Sequence, residues 1–127
     1  MALVVLAALL PSTGSAAAKR GFAFGRAGGN IMPFTVSISN DGVVHTTGAV
    51  TVRRQKLTLL QIAALNRVAA TNGFSAMPAA TNCPGTLPDV AATFVRVGAR
   101  KVQVHGACVA AYQRVWTALA HAVKLGP

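Results

Sequence analysis

Apolar and polar residues alternate most cleanly where Phe34, Val36 and Ile38 are separated by Thr35, Ser37 and Ser39. A period of two predicts a half-buried strand. Asn40-Asp41-Gly42 follows as a tight turn, because glycine tolerates positive φ and Asn and Asp bond to the local backbone. Val43 to Thr47 returns as a second strand, Gly48 marks a bend, and Ala49 to Arg53 continues extended. The same pattern recurs at Ala92 to Val97 and Lys101 to Gly106, joined by the turn Gly98-Ala99-Arg100. There Val95, Val97, Val102 and Val104 are expected to face a core, and Arg96, Lys101, Gln103 and His105 to face solvent.

Each hairpin is followed by a helical period. Thr58 with Gln61 three residues on forms a capping box, and Leu57 with Ile62 a hydrophobic staple. Leu65, Val68 and Ala69 carry the apolar face onward, and Gly73 after Asn72 stops the helix. From Cys108 to Lys124 the residues Val109, Tyr112, Val115, Trp116, Leu119 and Val123 form a second apolar stripe, with Gln113, Thr117, His121 and Lys124 opposite. Between the two units, residues 75–90 contain three prolines and read as a long ordered loop. The pattern predicts an α+β domain over residues 31–127, ordered ββαββα. Its expected sheet is four-stranded and antiparallel, with both helices on one face.

The chain opens on a different pattern. Leu3 to Leu10 is a short apolar run, Pro11 breaks it, and small residues lead to Ala16-Ala17-Ala18. That is the order of a signal peptide over residues 1–18, although no basic residue precedes the run. The run is far shorter than the roughly 20 residues that cross a bilayer. Residues 19–30, KRGFAFGRAGGN, are rich in glycine and basic residues and read as a flexible linker. Export changes the meaning of Cys83 and Cys108. In an oxidising compartment two cysteines pair by default, whereas in the cytosol they would be buried thiols.

Charge is one-sided: twelve Lys and Arg stand against two acidic residues, for a net charge of +10. The basic residues are scattered, with no Lys/Arg-rich helix and no aromatic interleaving, so nucleic acid is not the expected partner. Outside the cytoplasm the anionic candidates are acidic proteins and envelope polymers. A monomer with no cofactor is expected.

Two carboxylates leave little room for acid–base catalysis. Asp41 belongs to a turn, and Asp89 sits between Pro88 and a strand. His45, His105 and His121 have no metal-ligand spacing, and a disulfide would consume the thiol near His105. The expectation is a non-catalytic binding module, secreted or held in the cell envelope. Its candidate contacts are His45, Arg96, Lys101 and His105 on the open sheet face, with Asp89 beside them. The alternatives are an inhibitor of an extracellular enzyme presenting the loop Asn82 to Asp89, and, less consistent with two carboxylates, a small hydrolase.

The runs F-T-V-S-I-S-N-D-G, N-C-P-G-T-L-P-D and F-V-R-V-G-A-R-K-V-Q-V-H-G-A-C together resemble a group of small exported bacterial proteins without assigned activity. The resemblance covers nearly all of the chain after the leader. It implies the hairpin–helix repeat and the Cys83–Cys108 pair, and it transfers no functional residue.

Overall fold

Phe22 and Phe24, expected in a linker, lie at the centre of the sheet and are 1% and 0% exposed. The computed structural model describes residues 21–126, so the expected signal peptide lies outside the described residues. The first strand, β1, runs Phe22–Ala27. After it come β2 (Phe34–Ile38), β3 (Val44–Gly48), β4 (Thr51–Val52) and helix α1 (Leu59–Thr71). A 3₁₀ turn (Phe74–Ala76) leads to β5 (Ala80–Asn82), β6 (Ala92–Val97), β7 (Arg100–His105), helix α2 (Ala110–Ala122) and β8 (Leu125–Gly126).

Both expected hairpins form, β2–β3 and β6–β7, but they are not neighbours. The main sheet has six strands in the order β3-β2-β1-β6-β7-β5 and is mixed, which corrects the four-stranded antiparallel expectation. β1 inserts between the hairpins, antiparallel to β2 and β6. Its residues explain why. Phe22 and Phe24 point into the core, while Ala23 and Gly25 on the opposite face are small enough to lie between Ser37 and Arg96 and between Thr35 and Phe94. A strand bonded along both edges hides all its backbone polar groups, which outweighs the conformational freedom of its glycine. The sixth strand, β5, comes from the proline-rich loop and pairs parallel with β7, Thr81 opposite Val104. A separate two-stranded ribbon joins Thr51 to Gly126 and Val52 to Leu125.

Both helices pack on one face of the sheet. Ile62, Leu65 and Ala69 of α1, and Tyr112, Val115 and Leu119 of α2, share a core with Phe22, Phe24, Val36, Ile38, Val95, Val102 and Val104. The capping box is made: the Gln61 N–H donates to Thr58 Oγ1 at 3.2 Å, and the Thr58 N–H to Gln61 Oε1 at 2.8 Å. Gly73 follows with φ 66°, and Phe74 turns back into the core. Helix α2 starts two residues later than expected, from Val109, which has no side-chain cap. The disulfide Cys83–Cys108 forms and sets its entry, with the Cys108 N–H directed at Cys83 Sγ at 3.1 Å.

Tyr112 reaches through this core. Its hydroxyl pairs with Thr93 Oγ1 at 2.8 Å, and burial pushes its pKa up to about 12 from an ordinary value near 10, against the opposing pull of that hydrogen bond. A raised folded-state pKa means that the unfolded chain loses this proton first as pH rises. The stability that this hydroxyl contributes is therefore fully present below pH 10 and is lost between pH 10 and about 12. Chemical denaturation across that range should show a decline that Tyr112→Phe lessens; equal alkaline slopes for the two proteins would refute the assignment.

Candidate functional site

Register decides which side chains share the open face. Opposite Ala23 and Gly25 run Ser37 and Thr35 on β2, then His45 and Thr47 on β3. On the other flank lie Arg96 and Phe94 on β6, then Lys101 and Gln103 on β7, with His105 two residues beyond. All four basic candidates therefore start from the expected face, but their side chains do different things.

Lys101 stays exposed and sets its Nζ 4.8 Å from the Phe94 ring centroid, a cation–π contact. Arg96 is half-buried and turns to the strand end, where Nη1 donates to the Gly98 carbonyl. There it lines a cleft of about 570 Å³ between α1 and the β6–β7 turn, together with Arg100, whose guanidinium donates to the Met77 carbonyl. His45 is exposed on the edge strand β3. It is four strand positions from β7, about 19 Å across the sheet at the usual strand spacing, and level with Lys101 rather than with His105 four residues further along. The two histidines cannot share a ligand. Among the described residues, no three His, Cys, Asp or Glu side chains come together in a metal-binding group.

His105 holds structure together. Its Nε2 is 2.7 Å from the Val90 carbonyl, which can only accept, so Nε2 carries the proton. Its Nδ1, which then accepts, lies 3.0 Å from the Asn82 side-chain amide, whose NH2 group donates to it when turned to the ring. Both ring nitrogens are thus occupied in pinning the loop between β5 and β6. The same loop is held by the disulfide and by Thr86, whose Oγ1 donates to the Cys83 carbonyl at 2.8 Å. Gly106 lets the strand pass this close: a Cβ there would stand 2.5 Å from Cys83 Cβ. Asp89 contributes its backbone carbonyl, which accepts the Asn30 N–H at 3.0 Å, and its side chain is exposed. The loop crest carries Leu87, 63% exposed, whose carbonyl accepts the Val90 N–H at 3.1 Å. Leu87 thus opens a closed turn with Pro88 next in line, a shape unlike an extended substrate-like segment.

Asp41 is also engaged. The Ser39 hydroxyl donates to its carboxylate and holds its pKa below the usual carboxylate value. By the strand register Asp41 lies at the hairpin-turn end of the sheet and Asp89 at the opposite end, so the two carboxylates do not face one another.

A second constellation was invisible in the sequence. The Arg26 guanidinium lies 5.5 Å from the Trp116 ring centroid and 5.9 Å from that of Phe34. Beside it, a groove of about 650 Å³ is bordered by Arg53, Trp116, His121, Lys124 and Leu125. A neighbouring hollow of about 350 Å³ shares Leu125 and includes Arg26 and Phe34. The β4–β8 ribbon creates this cluster: the Arg53 N–H donates to the Lys124 carbonyl at 3.2 Å, joining segments far apart in the chain. Arg54 seals the end of α2 by donating from Nη1 to the Ala122 carbonyl at 3.1 Å. Trp116 and His121 fall at ordinary helix spacings and Arg26 in the presumed linker, so no local motif marks them.

Comparison with protein-family models, curated proteins and solved structures finds no match to this chain, and its functional reading rests on its own residues.

Proposed function

We propose that the domain works outside the cytoplasm as a non-catalytic binding module for an anionic partner, an acidic protein or an anionic envelope polymer. The observation that carries this reading is uncompensated positive charge. Twelve Lys and Arg face two carboxylates. One carboxylate is held by Ser39 in its own turn, and the other lies at the opposite end of the sheet. A field of one sign raises the local concentration of polyanions and speeds their capture. The disulfide supports an oxidising compartment, and among the described residues no helix is long and apolar enough to cross a membrane. The absence of catalysis is supported by the separated carboxylates, the oxidised Cys108 and the occupied ring of His105.

Chromatography of the leaderless protein on immobilised polyglutamate tests the proposal. Retention is expected at about 0.05 M salt, with elution by about 0.5 M as screening shortens the reach of the field. Elution in the void at low salt, on polyglutamate and on an anionic envelope polymer alike, would overturn it.

A further inference from the structure

Four basic side chains surround the end of α2: Arg26, Arg53, His121 and Lys124. All are exposed, and among the described residues no side-chain carboxylate lies along the groove they border. Among the described residues, the side chains of Arg53, His121 and Lys124 make no hydrogen bond, in contrast to Arg54, Arg96, Arg100 and Arg114, whose guanidinium groups are spent on oxygen atoms of the protein itself. The groove floor is different in kind. Trp116 and Leu125 are half-buried and apolar, and the floor continues past Leu125 to Phe34.

We propose that this groove is the contact site for the anionic partner, and that its ligand is an acidic peptide segment with interspersed apolar side chains. The inference rests on the anionic partner proposed above and adds its place and class. Basic rims take carboxylates through charge-assisted hydrogen bonds, which are stronger than neutral ones. An apolar floor gains nothing from a sugar–phosphate or polyphosphate chain, whereas it buries the aliphatic side chains of a peptide. Charge complementarity therefore selects the acidic groups and the floor selects a peptide among polyanions. Arg26 stacked on Trp116 links the two: a carboxylate drawn to Arg26 changes the surroundings of the indole.

Trp116 is the one tryptophan of the chain, so in the folded protein all tryptophan emission arises from the floor of this groove. The experiment titrates the leaderless protein with a tryptophan-free peptide of alternating glutamate and leucine, with polyglutamate of equal length, and with inorganic polyphosphate. A saturable change in Trp116 emission is expected, tightest for the glutamate–leucine peptide. The double variant Arg53→Gln/Lys124→Gln should bind about tenfold more weakly or worse, since hydrogen bonds to charged groups are removed. These two residues hold the β4–β8 ribbon through backbone groups only, so the melting temperature should stay near that of the parent. The variant Lys56→Gln/Arg67→Gln has the same net charge and should remain within about threefold of the parent, as expected for exposed charges away from the contact. Binding without a Trp116 response, or equal losses in the two double variants, would overturn the groove and leave the anionic partner standing. Polyphosphate or polyglutamate bound as tightly as the mixed peptide would overturn the ligand class. No binding of any of the three would overturn this inference, and no retention on the anionic envelope polymer besides would overturn the function it rests on.

Discussion

Removing the disulfide by Cys83→Ala/Cys108→Ala is expected to lower the stability of this domain by about 3.5 kcal/mol. The bridge spans 25 positions of sequence, and closing a loop of that length withdraws about this much conformational entropy from the unfolded chain. Local structure adds to the effect. Cys83 is buried, its N–H donates to the His105 carbonyl at 2.9 Å, and the pinned loop supplies Val90 to the His105 ring. For a domain of this size the loss corresponds to a fall in Tm of roughly 15–25 °C. Since domains carry only about 5–15 kcal/mol in total, the variant should stay folded at room temperature and fail on moderate heating. Thermal unfolding of the oxidised protein, the reduced protein and the double variant measures this directly. A melting point within a few degrees of the parent in both altered forms would show that the bridge constrains little.

The second large effect is expected from Phe24→Ala, with a loss of about 3–5 kcal/mol. Phe24 is fully buried on the central strand and meets Trp116 edge-on, with ring centroids 5.4 Å apart and planes at 84°. Truncation removes the buried ring area, leaves a cavity between the sheet and α2, and ends an aromatic contact worth about 1 kcal/mol by itself. The result separates two views of residues 19–30. In a flexible linker the substitution would be silent, whereas in the observed strand it approaches the whole stability of the domain. Ala27→Ser, on an exposed position of the same strand, should change little. Urea denaturation followed by Trp116 fluorescence reads both; a Phe24→Ala midpoint equal to the parent's would be incompatible with the central placement of β1.

The contrast shows what local pattern can and cannot carry. The hairpin at Phe34–Gly48 was legible because its buried positions alternate with Thr and Ser, so that each side of the strand announces its environment. Helix α1 was legible from Thr58 and Gln61 because a capping box is a contact between residues near in sequence. β1 was not. Its outward positions, Ala23 and Gly25, are small because they lie between neighbouring strands, and small residues beside basic ones look like flexible chain. β5 escaped for a related reason. Ala80–Asn82 has no apolar alternation, and its parallel partner is supplied by a disulfide-held loop. The candidate contacts fared in the same way. His105 was correctly placed on the second hairpin, but its bonds to Asn82 and Val90 depend on a loop fold that no spacing encodes. The basic groove draws on β1, the segment after β4 and the end of α2, and only the two-residue ribbon unites them.

The position of β1 also dictates the order in which the chain can fold. It precedes both partners in the chain, pairs with β2 across a short loop, and takes its second edge from β6, where Phe22 meets Val97. Until that distant hairpin arrives, the strand bearing two of the core phenylalanines of the sheet has one bare edge and no helix α2 to cover it. Such long-range pairing makes assembly slow and concerted, because loop-closure entropy is spent before the rewarding contacts form.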